Sequence, residues 1–233
     1  MSKKTYILFI LVFFSVLCYG QSNFTKGEEL FMHNNPSQAA PFLERAMAED
    51  PAHTLTYVYL GIVYEQLGKA DEAIAVYRRI LPQASNLSAH VANNLGNVYF
   101  KRGITDQAES FYSQAIGFDS SYAPAFLGRA NSRIKSGNLL SAVTDYEQYL
   151  LLDPASSQRT KIEQMIGLVR SEIAAAEMRK LLAEEEERRI AEERKKLLDS
   201  VSASLQSAAE ASKGLSTGSE SVEQYEDGEF ILD

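Results

Sequence analysis

Polar and apolar side chains are distributed along residues 22–156 with the period of amphipathic helices, and the helices come in pairs. The clearest pair runs from Leu55 to Leu67 and from Asp71 to Leu81, with Gly68 at the break, because apolar residues recur every three or four positions on either side of a helix-ending residue. After Pro154 the pattern changes, and one segment without Pro and with a single early Gly167 runs to about Ser212. Its first part sets Ile162, Ile166, Val169 and Ile173 at helical spacing, as a helix covering the open end of a helical array would. Beyond Glu177 the character is different: 15 of the 23 residues from Glu177 to Asp199 are charged. Residues 213–233 are rich in Gly, Ser and acid and predict a disordered tail. The fold class predicted is all-α.

The paired segments repeat. Gly27, Gly61, Gly96 and Ala130 are separated by steps of 34, 35 and 34 residues. Twelve positions after them stand Ala39, Ala73, Ala108 and Ala142, and four further on come Leu43, Tyr77, Tyr112 and Tyr146. The first and last units close with Asp50-Pro51 and Asp153-Pro154. One such unit cannot bury its own apolar face, so neighbours must stack. Small residues at Gly61 and Ala73 let two helices approach closely, and Tyr57, Tyr64 and Tyr77 fill the space around that contact.

This period and these residues resemble the tetratricopeptide repeat. The second unit carries Tyr57, Leu60-Gly61, Tyr64, Ala73 and Tyr77, and the third carries Leu95-Gly96, Tyr99, Ala108, Tyr112 and Ala115. The fourth keeps Phe126, Ala130, Ala142, Tyr146 and Pro154, but Arg129 and Arg133 stand where Leu and Tyr are expected. Asn23 and Lys26 depart from the pattern in the first unit, which predicts a short opening helix. The resemblance implies a right-handed helical-hairpin solenoid of about four repeats, near residues 21–53, 54–88, 89–122 and 123–156. A capping and charged helix over 157–212 would follow.

In that family, a ligand lies on the concave wall formed by the first helix of each pair. The wall positions translate to Leu55, Val58, Ile62 and Glu65, then His90, Asn93, Asn97 and Lys101, then Leu127, Asn131 and Lys135. Amide side chains both donate and accept, which suits an extended peptide backbone. The basic and amide clamp by which some of these domains capture a C-terminal carboxylate is not reproduced, since Val58, Ile62 and Pro124 occupy its polar places. Three amide contacts contribute only about 0.5–1.5 kcal/mol each, and a micromolar complex needs about −8.2 kcal/mol. Apolar anchors on Leu55, Val58, Ile62 and Leu127 would have to supply the rest, so the partner expected is a protein or peptide segment with apolar side chains.

Charge and cysteine usage narrow the picture. The 233 residues hold 23 basic and 31 acidic side chains, a formal charge of −8. That balance argues against a nucleic-acid partner. The one cysteine, Cys18, excludes a disulfide within the chain. It lies in a leader: Lys3 and Lys4, an apolar run from Tyr6 to Tyr19, and small Gly20 before Gln21 read as a signal peptide over residues 1–20. Export and a periplasmic location follow as the expectation, with membrane attachment only through lipidation at Cys18 or through a partner.

In the long helix, Glu184 with Arg188, Glu185 with Arg189 and Glu192 with Lys196 are spaced to support a solvated single helix. Ile190, Leu197, Val201 and Leu205 offer the alternative, a coiled-coil seam and a homo-oligomer, although the apolar spacing fails around Lys180 and Glu187. The tail holds a small apolar patch, Phe230-Ile231-Leu232, that could act as a docking motif.

Catalysis is not expected. His33, His53 and His90 are scattered, and Gly214-Leu215-Ser216-Thr217-Gly218 imitates a nucleophile elbow without the strand and partners that one requires. No metal set and no cofactor are predicted. The function expected is that of a non-catalytic adaptor in the cell envelope, with an assembly role through the long helix and tail as the alternative.

Overall fold

The computed structural model describes residues 21–216. Among these residues lie nine α-helices and no strand: α1 (Asn23–Met32), α2 (Pro36–Glu49), α3 (Thr54–Gln66), α4 (Ala70–Ile80), α5 (Ser88–Lys101), α6 (Thr105–Phe118), α7 (Ala123–Ser136), α8 (Leu139–Leu152) and α9 (Arg159–Ser216). The first eight form four consecutive hairpins, a helical solenoid. The opening helix α1 has 10 residues against 13 or 14 in α3, α5 and α7.

One backbone device closes every hairpin. Seven residues after each repeat anchor stands a residue in the left-handed region: Asn34 at φ 53°, Gly68 at 73°, Gly103 at 79° and Gly137 at 82°. The N–H of the next residue then returns to a carbonyl five positions back, as in Lys69 to Tyr64 at 2.8 Å and Asn138 to Arg133 at 2.8 Å. This is the Schellman stop, which satisfies the last helical carbonyls and favours glycine because a side chain resists that φ. The longer step of 35 residues is absorbed between α4 and α5, where two 3-10 turns, Leu81–Gln83 and Ser85–Leu87, replace the Asp-Pro ending of the first and last units.

Within each hairpin the two helices meet at the anchor. A methyl group at Gly96 would stand 2.6 Å from Tyr112 Cε1, and one at Gly27 would stand 2.7 Å from Leu43 Cγ. The rings of Tyr77 and Tyr112, fully or nearly fully buried, occupy the room that glycine leaves at Gly61 and Gly96. Burial pushes both hydroxyls well above their ordinary pKa, and the charge of Glu65 adds to the effect. Tyr64 is pushed up to about 12 by burial and by its bond to Glu44.

The apolar interior divides at the fourth repeat. One cluster runs through α1–α6 around Tyr57, Leu60, Tyr77, Leu95 and Tyr112, and a second joins α7, α8 and α9 around Phe126, Tyr146, Ile162, Ile166 and Val169. Ile173 is partly buried against the second cluster, so the expected capping stripe does cover the end of the array. At the division the family pattern is broken by charge. Arg129 grips Asp145 with Nε and Nη2, both at 2.8 Å; Arg133 donates to the same carboxylate at 2.8 Å and to Glu109 at 2.7 Å. In the preceding repeat the positions of Arg133 and Asp145 are held by Tyr99 and Phe111, stacked at 5.4 Å. An ion network thus replaces an aromatic pair in the same slot.

The helix α9 differs from expectation at its ends. It begins at Arg159, with Ser156 Oγ accepting the Gln158 N–H at 3.2 Å in a turn before it, and extends to Ser216. Its residues up to Ile173 belong to the same compact unit as the hairpins, and those from Ala174 onward form a second unit. Ion pairs in that second unit include Lys180 with Glu184 at 3.8 Å and Arg189 with Glu186 at 2.7 Å. These pairings are not the ones that spacing alone suggested.

Two predictions follow from this packing. Asp145 is 2% exposed, so Asp145→Ala leaves two confined guanidinium groups without their carboxylate and should lower unfolding free energy in urea by about 3–5 kcal/mol. The same change at Asp71, whose side chain is 83% exposed in its pair with Arg102, should alter stability by about 0–1 kcal/mol. Equal effects at the two sites would contradict the buried network.

The second prediction concerns pH. The buried tyrosines have folded pKa values raised above the ordinary value of 10, so their contribution is complete below that pH. It is lost as pH rises because the unfolded chain releases these protons first. The thermal midpoint by circular dichroism should therefore fall from about pH 10 upward, with phenolate absorbance rising on unfolding. A flat midpoint through about pH 11.5 would contradict it.

Candidate functional site

The first helices of the pairs lie side by side, with side-chain contacts across each junction. Tyr59 of α3 meets Phe31 of α1 at 5.1 Å between ring centres; Lys101 of α5 donates to Glu65 of α3 at 2.7 Å; Lys135 of α7 sits over the Phe100 ring of α5 at 5.3 Å. The wall positions expected from the repeat therefore fall on one run of neighbouring helices, with two of their lysines acting as ties.

Their environments differ. Leu55, His90, Lys101 and Lys135 are exposed, and Val58, Ile62 and Leu127 are half-buried against the apolar clusters. Asn97 and Asn131 are half-buried. Each accepts a hydrogen bond on Oδ1 from the tyrosine that fills its own hairpin, Tyr112 at 2.8 Å and Tyr146 at 2.7 Å. In the second repeat the same position is Ile62, which cannot accept, and the Tyr77 hydroxyl donates to Glu65 at 3.0 Å instead. Asn93 is 5% exposed and its Oδ1 has no partner. It is a buried acceptor in the wall, not the open groove amide expected from sequence.

The arrangement can recognise a backbone. With Oδ1 of Asn97 and Asn131 taken by tyrosine, the amide orientation is fixed and both N–H donors of each remain for a ligand carbonyl. The Asn93 Oδ1 is sealed inside the wall, where its burial without a partner costs about 1–3 kcal/mol. Sequence reasoning noted Arg129 and Arg133 only as departures and missed Asp145. The signal was available, since Asp145 stands where the preceding repeat has Phe111.

Other expected features resolve differently. The histidines are apart in function: His33 Nδ1 lies 2.7 Å from the Glu29 carbonyl, His53 Nδ1 lies 2.7 Å from Thr56 Oγ1, and the His90 ring packs 4.6 Å from that of Tyr122. Among the described residues no three His, Cys, Asp or Glu side chains gather as a metal-holding group, and no helix is long and apolar enough to cross a membrane. The leader over 1–20, Cys18 and the Phe230, Ile231 and Leu232 patch lie outside the described residues.

Comparison with known proteins supports the repeat and corrects the compartment. Two tetratricopeptide repeat models match residues 30–98 and 89–122. The human RNA polymerase II-associated protein 3 is 36% identical over 139 residues, 58% of this chain and 21% of the relative. A probable UDP-N-acetylglucosamine–peptide N-acetylglucosaminyltransferase, SPINDLY, from Hordeum vulgare is 31% identical over 137 residues, 55% of this chain and 14% of that protein. The chain thus spans about a fifth or less of the length of these relatives. Among solved structures, that of MamA shares the fold with a TM-score of 0.57 and 21% identity, covering 64% of this chain and 84% of that one.

The expectation of a secreted, periplasmic location is overturned. Xenopus laevis, mouse and rat proteins that match carry the same name as the human one, an association with RNA polymerase II that conflicts with export to a periplasm. An apolar run after two lysines is a compositional signal and does not by itself fix where a chain resides. The repeat stands on firmer ground: one register of small anchors and left-handed stops runs through all four hairpins, with Leu43 or a tyrosine sixteen residues after each anchor, and the matched residues 30–122 are tetratricopeptide repeats.

Proposed function

We propose that this protein is a non-catalytic interaction adaptor that holds an extended segment of a partner protein against the wall formed by α3, α5 and α7. The observation that carries this reading is the pair Asn97 and Asn131. At the same position in successive repeats, each is fixed by a tyrosine hydroxyl and keeps its N–H donors for a ligand. Leu55, Val58, Ile62 and Leu127 give apolar surface for anchors. Relatives similar over the same repeats include a protein named for association with a polymerase, which favours a binding role. The transferase relative matches over only 14% of its length, so its activity does not pass to this chain with the repeats.

A second reading draws on α9 alone. Ile190, Leu197, Val201 and Leu205 are 54%, 65%, 47% and 66% exposed, a stripe that the helix of a second copy could cover. Deleting residues 177–233 separates the two roles. The groove reading predicts unchanged peptide affinity, and the assembly reading predicts loss of the partner.

The direct test replaces donors without stranding the tyrosines. Asn97→Ala would leave the buried Tyr112 hydroxyl unpaired and confound binding with stability, whereas Asp keeps the acceptor. Full-length protein is panned against a random peptide library, and the leading peptide is synthesised and titrated by fluorescence anisotropy. The double change Asn97→Asp with Asn131→Asp should weaken it by about tenfold or more while the chain stays folded, from the loss of two hydrogen bonds. Equal affinity for the folded double variant would overturn the groove reading.

A further inference from the structure

The start of α9 repeats the register of the earlier first helices. With Gly167 set beside Gly61 and Gly96, the buried residues Ile162, Ile166 and Val169 take the places of Thr56, Leu60 and Val63 in α3 and of Val91, Leu95 and Val98 in α5. The junction contact repeats too. Three residues after the anchor, Arg170 pairs with Glu147 of α8, just as Tyr64 donates to Glu44 at 2.9 Å and Arg78 lies 5.8 Å from the Tyr99 ring centre at earlier junctions. What is missing is the second helix: a methyl group at Gly167 would meet nothing within 4 Å. The opening of α9 is therefore a fifth first-helix without its pair, and its residues to Ile173 lie in the same compact unit as the others.

In this register Leu168 stands where Ile62, Asn97 and Asn131 stand, on the wall of the groove. It is 69% exposed. A terminal cap is best served by a polar outer face, so an open leucine at this position is unexplained by capping. Charge on the same wall is biased as well. Five positions after the anchor stand Lys101, Lys135 and Glu172, and six positions before it on α9 stands Lys161, in a chain of formal charge −8. Lys101 is bridged to Glu65, whereas Lys135 is held by an aromatic face and stays exposed.

We propose that the peptide groove continues onto α9, and that Leu168 receives an apolar side chain of the bound segment, with a carboxylate of that segment toward the exposed Lys135 of α7. Apolar contact at Leu168 supplies the anchor that hydrogen bonds alone cannot, and the exposed Lys135 favours an acidic neighbour. This rests on the groove reading proposed above.

The test uses the full chain and the leading library peptide as probe, with Leu168→Glu, Lys135→Glu and the double Asn97→Asp with Asn131→Asp compared by anisotropy and circular dichroism. Leu168 is exposed, so its replacement should leave the helical signal and melting unchanged. The expected result is about a ten- to hundredfold loss of affinity in Leu168→Glu, the scale of one buried aliphatic side chain. Lys135→Glu should also lose affinity, and peptides selected by wild type should share an apolar residue beside Asp or Glu. Loss in the Asn double alone, with Leu168→Glu binding as wild type, overturns the extension and leaves the groove reading standing. Undiminished binding in all variants, or no peptide enriched on the wild-type chain, overturns both.

Discussion

The structure depends on one steric constraint: within each hairpin two helices approach so closely that the anchor of the first is Gly or Ala where the second inserts a large side chain. Tyr77 lies across Gly61 and Tyr112 across Gly96, and Gly128 of the next first-helix also faces the Tyr112 ring. A tyrosine clasped on both sides fixes the distance within a repeat and between repeats together. The left-handed stops at Asn34, Gly68, Gly103 and Gly137 then turn the chain at the same point each time. From these two local features the row of first helices follows, and with it the wall that a ligand would meet.

The same contact reaches the proposed site. A tyrosine ring that fills the anchor delivers its hydroxyl to the neighbouring residue on the wall, so Tyr112 holds Asn97 and Tyr146 holds Asn131. Packing and the proposed recognition share one side chain. Where the wall residue is Ile62, the hydroxyl goes to Glu65, which also carries Lys101. The second repeat therefore presents apolar surface, while the third and fourth present amides. A bound segment running along this wall would meet changing chemistry from repeat to repeat, and the exposed leucine on α9 would extend that series.

Much of this was legible in the sequence, for identifiable reasons. Gly, Ala and Tyr at a fixed period announce a close contact because few other residues tolerate it, and Gly68 announces a stop because few others adopt its φ. The charged slot in the fourth repeat was half legible. Arg129 and Arg133 stood out as departures, but their partner Asp145 lies twelve and sixteen residues on, in another helix, and only three-dimensional packing joins them. Asn93 was misjudged because periodicity gives the face of a helix and not the depth at which a neighbour covers it. The fifth first-helix escaped notice since its step from Ala130 to Gly167 is 37 residues and no second helix follows to complete the motif. The compartment was misread from a leader whose pattern is compositional, and the animal relatives overturn it.

The most direct measurement is equilibrium unfolding in urea of two glycine variants at the same register position. Gly96→Ala drives a methyl group into the Tyr112 ring at 2.6 Å, and Gly167→Ala places one where nothing lies within 4 Å. If the paired-helix contact is the organising constraint, the first variant should lose about 1–3 kcal/mol through overpacking. The second should be unchanged or gain up to about 1 kcal/mol from better helix propensity. Equal changes in the two variants would contradict both the constraint and the reading of α9 as a first helix without its partner.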